Sequence, residues 1–383
     1  MNDVTAPLLS VCCTTYQHVH FIRQAIEGFL MQRTSFPIEF IIRDDASKDG
    51  TAAIVKEYAE RHPNLIRAIL NEENQFSKGV RPMPDAISHA RGKYIAICEG
   101  DDYWTDPLKL QKQVDALESA PSVSMVFHNV WVRHEESKWD RFLNHGIKKN
   151  RFTLGDVVSA EWFVGTCSMV FRQSALEGVD LSAFRWCLSG DMVLQFHLAQ
   201  NGDFVYMDEV MGVYRRHEGG MSHAYWSSAA QMEAHERHQF EVFRPNHVWM
   251  QLAFHQQVHE ADMHKVIEQR IAVLMRKIVG YLLRKQPGAI PDVVAVRRQL
   301  IDLLERGRPA GAQFDIAVFQ RAVVERSLHV VQSQCMHHVN VLLESLTLMG
   351  RAMLLRRLVK QLWHGQYPRR SVMNWIWRSL VRR

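Results

Sequence analysis

Nothing in this sequence spaces its cysteines for a metal or a disulfide. The six (Cys12, Cys13, Cys98, Cys167, Cys187, Cys335) form no CxxC pair, and several sit inside apolar runs where cysteine acts as a small buried hydrophobe. A zinc ribbon and a disulfide scaffold are excluded, and a reducing cytoplasm is the expected compartment. The 20 histidines contain no HExxH, and there is neither a P-loop nor a GxGxxG. These absences argue against metalloprotease, P-loop NTPase and dinucleotide chemistry. No uninterrupted apolar stretch reaches the roughly 18 residues of a spanning helix. Met1 to Pro7 is short and lacks a basic residue, so no signal peptide is expected. Asp and Glu end at Glu344, which leaves 346–383 strongly basic.

What is present is ordinary in bulk: 383 residues, 47% hydrophobic and 23% charged, enough for one large domain with an appendage or for two domains. Along the chain, apolar β-prone runs alternate with helical periodicity. Leu8 to Thr15 reads as a strand. Phe21, Ile22, Ala25, Ile26, Phe29 and Leu30 then fall on one helical face. Ile38 to Arg43 is a strand ending at Asp44-Asp45, followed by Ser47, Asp49 and Gly50 ahead of a helix to about Arg61. Ile66 to Leu70 is a short strand, Asp85 to Arg91 a helix, and Tyr94 to Cys98 another strand. This alternation predicts an α/β fold with a mostly parallel sheet flanked by helices, whose ligands bind beyond the carboxyl ends of the strands. Ser124 to Val132, Cys167 to Phe171 and Phe204 to Tyr206 add strands, and Arg133 to Thr153 reads as a surface excursion. From Ala229 the pattern becomes long helices. The expected division is 1–228 (8–115 and 116–228 as halves) and 229–383.

The most informative run is Cys98-Glu99-Gly100-Asp101-Asp102-Tyr103-Trp104, three carboxylates at the end of a strand. Like charges held together raise at least one pKa and cost stability. A hard divalent cation, Mg²⁺ or Mn²⁺, removes that cost and can hold phosphate oxygens. A solvated turn capping the helix near Pro107 is the plainer reading. Asp191, after Ser189-Gly190 at a helix start, is either a first-turn charge or a base. Trp104 packs under the acidic loop or stacks near a ligand.

Taken in order, Ser10 to Thr15, the Asp44-Asp45-Ala46-Ser47-Lys48-Asp49-Gly50-Thr51 run and Glu99 to Trp104 resemble family 2 glycosyltransferases of the GT-A fold. Ser189-Gly190-Asp191, Asp208-Glu209 and Tyr214-Arg215-Arg216-His217 continue the likeness, which covers about Leu8 to Ser222. The acidic run is similar to the metal motif of one bacterial branch. The resemblance implies an inverting transferase that moves a sugar from a nucleotide diphosphate-sugar to a hydroxyl of a lipid-linked surface glycan. It implies a nucleotide-sugar site at Thr14, Thr15, Tyr16, Asp44, Asp45, Asp101 and Arg215, with either Asp44 or Asp45 reading the base. Metal ligands are expected at Asp102 first, then Asp101 and His217, with Glu99 behind them. Asp191 is the expected general base. Two alternatives compete: a nucleotidyltransferase of related fold, and a silent glycan-binding scaffold. The first would need a Gly- and Lys-rich opening loop, which Thr14 to His18 lacks; intact Asp102 and Asp191 argue against the second.

The basic segment 346–383 interleaves Trp375 and Trp377 with arginine. It suits either an anionic membrane surface on the cytoplasmic face or packing on the rest of the protein. No nucleic-acid motif accompanies the charge.

Overall fold

The computed structural model describes residues 6–135, 140–220, 229–285, 292–310 and 316–345. The basic tail of 346–383, and with it the membrane expectation, lies outside the described residues. The chain divides into two compact units, Met1–Ser227 and Ser228–Arg383.

The first unit is one sheet with helices on both faces. Its strands are β1 (Leu9–Thr15), β2 (Ile38–Asp44), β3 (Ile66–Leu70), β4 (Tyr94–Ile97), β5 (Tyr103–Trp104), β6 (Val123–His134), β7 (Asp140–Phe142), β8 (Arg151–Phe152), β9 (Val170–Arg172) and β10 (Asp203–Arg216). The sheet order is β3-β2-β1-β4-β9-β6-β10-β5, with β7 beside β6 and β8 beside β10. The first four members run parallel. β9 then enters antiparallel between β4 and β6, while β6 and β10 are parallel to each other, so the sheet is mixed.

The helices follow from their apolar spacing. In α1 (Ile22–Leu30), Ile22, Ala25, Ile26 and Phe29 are buried one turn apart. With α2 (Thr51–Arg61) and α4 (Lys109–Ser119), this helix covers one face of the sheet through Val55, Tyr58, Leu110, Val114 and Leu117. On the other face lie α3 (Pro82–Ser88), α5 (Leu154–Ser159) and α6 (Gly190–Gln200), with Ala86, Ile87, Val157, Leu194 and Leu198 against Ile95, Ile97 and Phe127. Each fully buried large apolar side chain contributes about 1.5–3 kcal/mol of transfer free energy. The helix expected at Asp85 to Arg91 begins earlier, because Pro82 at its first turn presets φ for helix entry.

Two other expectations change. The 133–153 stretch returns to the sheet: β7 pairs antiparallel with β6 and β8 with β10, and Phe142 stacks on Trp131 with centroids 4.1 Å apart. The short strand at Phe204 to Tyr206 is the start of a 14-residue strand that reaches Arg216. A register shift between Met207 and Val210 lets the exposed pair Asp208-Glu209 bulge out before pairing resumes.

The second unit is helical: α7 (Ala229–His238), α8 (Arg244–Gln257), α9 (Ala261–Arg284), α10 (Val293–Arg306), α11 (Ile316–Phe319) and α12 (Arg326–Ser345). A π-helical turn, Gln239–Phe243, joins α7 to α8. It falls just before Pro245, which has no N–H to continue an ordinary ladder. Trp249 anchors this unit, donating from Nε1 to the carbonyl of Leu304 at 2.8 Å and stacking on Phe319. Among the described residues, no helix is long and apolar enough to cross a membrane.

Candidate active site

The carboxyl ends of β1, β2 and β4 lie side by side, with Thr15 opposite Asp44 and Cys12 opposite Ile97. The loops that follow clasp one another. The backbone N–H groups of Gln17, His18 and Val19 donate to Ser47 Oγ, Thr51 Oγ1 and Asp49 Oδ2 at 2.9, 2.9 and 3.0 Å. Gln17 and Ala46 hold positive φ (57° and 64°) in that clasp, a conformation non-glycine residues seldom adopt. Gly100 brings the acidic turn against β1: its N–H donates to the carbonyl of Thr14 at 2.9 Å, and a Cβ there would stand 2.7 Å from Thr15 Oγ1. Only glycine allows that approach.

The acidic run divides in two directions. Asp101 Oδ2 meets His217 Nε2 at 3.1 Å and His18 Nε2 at 3.7 Å. One ligand-type atom from each of these residues lies within 4.8 Å of the others. Asp102 is held differently, and its Oδ2 is enclosed without a hydrogen-bond partner. It is 1% exposed, and its Oδ1 accepts the backbone N–H of Arg215 at 2.7 Å. Asp101 faces the two histidines, and Asp102 Oδ1 fastens the end of β10 to the acidic turn. His18 had no place in the sequence reading. A lone histidine in a loop carries no ligand spacing, and only the folded β1–β2 clasp brings it to Asp101.

The electrostatics follow this division. Burial opposes ionisation of Asp101, but the His217 hydrogen bond and the charges of His18 and His217 bring it below its ordinary value. Burial, then Asp101 and Glu99, pushes Asp102 well up. Glu99 is pushed up to about 8 by burial, then by Asp101, with Asp191 adding to the shift. Asp191 sits in the first turn of α6, and burial raises its own carboxyl. The segment before it is held by Arg81, which donates to the carbonyls of Arg185 and Cys187, the latter at 2.8 Å.

The other expected residues fall into three groups. Asp44 and Asp45 are both buried, so neither faces solvent. Asp45 is fully engaged: Oδ1 accepts from Arg43, Asn71 and the N–H of Gln75, and Oδ2 from the N–H of Phe76, all at 3.0–3.1 Å. Asp44 accepts only from Ser47, through its N–H and its hydroxyl. At the end of β1, Thr14 is half-buried, Thr15 Oγ1 is enclosed without a partner, and Tyr16 is 46% exposed. Arg215, expected against a diphosphate, stands at the end of β10 beside the acidic turn. Its guanidinium donates to Glu135, the carbonyl of Asp101 and Gln24, and lies over the ring of Tyr103. Trp104 packs under the loop, donating from Nε1 to the carbonyl of Cys167 at 2.8 Å and meeting Phe29 at 4.8 Å.

The donor set fits a divalent cation: one carboxylate and two imidazoles converge, and Thr15 Oγ1, His18 Nδ1, Glu99 Oε2 and Asp102 Oδ2 are enclosed polar atoms without partners around the same turn.

By architecture, the sheet unit is a GT-A-like α/β fold, and residues 10–179 match the family model described as Glycosyl transferase family 2. The uncharacterized protein Rv1520 of Mycobacterium tuberculosis is 40% identical over 218 residues, 56% of this chain and 61% of its own length. TuaG of Bacillus subtilis, named for teichuronic acid biosynthesis, is 26% identical across 58% of this chain and 84% of its own. TarS of S. aureus, solved with UDP-GlcNAc, shares the fold with a TM-score of 0.54 at 16% identity, covering 88% of this chain and 90% of that one.

Proposed function

We propose that the protein is a metal-dependent, inverting glycosyltransferase that moves a sugar from a nucleotide diphosphate-sugar to a hydroxyl of a glycan acceptor. The convergence of His18, Asp101 and His217 at the strand ends carries this reading, and Asp191 in the first turn of α6 is the base assigned to it. Asp101, His217 and His18 would hold the ion, Mg²⁺ or Mn²⁺. When bound, it supplies positive charge to the diphosphate leaving group. Asp44, with acceptor capacity to spare, is the base reader in this assignment, and Asp45 shapes the loop beside it. Thr15 Oγ1 lines the same wall. Asp191 takes the proton of the attacking hydroxyl, which has a pKa far too high to react unaided. Attack from the Asp191 side, opposite the departing diphosphate, inverts the anomeric centre. Residues 8–115 then serve the donor and 116–228 the acceptor. The UDP-GlcNAc complex of TarS supports a nucleotide-sugar donor, and the name of TuaG supports a cell-surface polymer, lipid-linked during its assembly, as acceptor.

The test is a panel of sugar nucleotides assayed for hydrolysis and transfer with Mn²⁺, with Mg²⁺ and with EDTA. The expected result is turnover of one donor that EDTA abolishes. Turnover undiminished by EDTA, or no binding of any nucleotide diphosphate in the presence of Mn²⁺, removes the assignment.

A further inference from the structure

Arg81 is a half-buried residue whose guanidinium is spent on main-chain oxygens far along the sequence. Its Nε donates to the carbonyl of Arg185 at 2.9 Å, and its Nη2 donates to that same carbonyl and to the carbonyl of Cys187, the latter at 2.8 Å. Among the described residues no carboxylate pairs with it, so the fork fixes geometry rather than neutralising a charge.

The near end of this link is anchored on β2. The N–H groups of Gln75 and Phe76 both donate to Asp45 at 3.0 Å, and the Phe76 ring centre lies 5.3 Å from the Arg81 guanidinium carbon. Arg81 is also the residue that enters α3. In the first turn of that helix Asp85 accepts from Arg43, a wholly buried residue that reaches Asp45 as well, at 3.1 Å. Arg81 is thus tied to the end of β2 through its ring contact and through its helix.

The far end is the approach to α6. Cys187 is fully buried, and its thiol reaches the carbonyl of Ser189 at 3.8 Å. Ser189 gives α6 no side-chain cap, and a Cβ at Gly190 would meet nothing within 4 Å. The start of α6 at Gly190 therefore opens onto free space, and the Arg81 bonds to Arg185 and Cys187 hold the chain just ahead of it. Asp191 follows in the first turn. A misplacement of about 1 Å in a reacting group costs roughly a hundredfold in rate. We propose that Arg81 is the positioning residue for Asp191: by gripping the carbonyls of Arg185 and Cys187 it fastens the entrance of α6 to the strand end that carries Asp44 and Asp45. This rests on the reading of Asp191 as the general base.

The experiment compares the full wild-type chain with R81M, R81K and D191N. Hydrogen exchange follows the amide of Val193, which donates to the Ser189 carbonyl at 3.2 Å and closes the first turn of α6. Calorimetry with UDP and GDP in Mn²⁺ follows nucleotide binding. Turnover is measured with the sugar nucleotide identified in the donor panel. In R81M exchange at Val193 should accelerate at least about tenfold. Its kcat should fall about tenfold to a hundredfold, with nucleotide binding and donor KM nearly unchanged. The acid limb of its kcat profile should move to lower pH, because burial is what raises the Asp191 carboxyl. A chain that is merely less stable would lose rate at every pH and leave the limb in place. R81K keeps the charge without the planar fork; it should fall between R81M and wild type, and it carries the test if R81M does not fold. Unchanged exchange at Val193 overturns the proposal whatever the turnover. So does a wild-type kcat with an unmoved acid limb in the Arg81 variants while D191N loses transfer. Full transfer by D191N is a different result, since it removes the base reading itself and the proposal with it.

Discussion

Oδ2 of Asp101 lies 3.1 Å from Nε2 of His217, while the neighbouring Asp102 turns its Oδ1 to the backbone N–H of Arg215 at 2.7 Å. Two adjacent carboxylates thus grip the same strand end, one through a ligand-type side chain and the other through the main chain. Their variants should behave differently. Asp101→Asn should weaken Mn²⁺ binding by about tenfold to a hundredfold or more. Asp102→Asn keeps an oxygen for the Arg215 N–H and relieves like-charge repulsion, so its loss should be much smaller. Manganese titration followed by electron paramagnetic resonance checks this; equal losses would return Asp102 to the metal.

In the proposed reaction Asp191 is the base that takes the acceptor proton. Asp191→Asn should lower the transfer rate by roughly 10²–10⁴-fold, with donor affinity nearly unchanged. Single-turnover transfer measured beside nucleotide binding separates the two effects. A variant that transfers at the wild-type rate would show that another group takes the proton.

Lys109 is fully buried, donates to Gln113 Oε1 at 2.7 Å and lies 4.2 Å over the ring of Trp104. Burial lowers its ammonium to about 7 from an ordinary 10.5. Between these values the unfolded chain binds more protons than the folded one, so stability rises with pH. From pH 7 to pH 9 the gain should be about 2 kcal/mol, and Lys109→Met should flatten the slope. Urea unfolding at pH 7, 8 and 9 decides it: parallel curves for the two proteins would show that the amine is not the source.

Asp45 is held below its ordinary value: burial opposes its ionisation, but the N–H groups of Phe76 and Gln75, the amide of Asn71 and the charge of Arg43 prevail. Its contribution is therefore complete above the ordinary value of 3.8 and is lost as pH falls through the lower folded value. Asp45→Asn offers one oxygen to the same donors and should cost about 1–3 kcal/mol at neutral pH. Hydrogen exchange at Gln75 and Phe76 should accelerate at least about tenfold. Unchanged exchange at both amides would mean the loop is held by other contacts.

The parts of this architecture visible in the sequence were those governed by local pattern. Ile22, Ala25, Ile26 and Phe29 announce α1 by spacing alone, and the apolar run Leu9 to Cys13 announces a strand buried on both faces. What lay out of sight depended on pairing between distant segments. Nothing local in Val170 to Arg172 says that it enters antiparallel between β4 and β6. The charged pair Asp208-Glu209 looked like the end of a strand because a bulge hides the continuation of β10 to Arg216. Within the site, Asp101 and His217 stood out by composition and motif order. His18 did not, and the separate tasks of Asp101 and Asp102 could not be told from two identical letters side by side.

The Asp102–Arg215 bond also bears on how finely this protein could be divided. The family match ends at residue 179, yet Asp102 meets its main-chain partner only at residue 215, and Asp101, already beside His18, meets its second histidine only at residue 217. During synthesis those carboxylates wait for more than a hundred further residues before these partners exist. A fragment ending at residue 115 would contain the acidic run and still leave Asp101 and Asp102 without their partners at the end of β10. Residues 8–115 and 116–228 are tied together through the acidic turn and β10, so neither could be exchanged between relatives as an independent cassette.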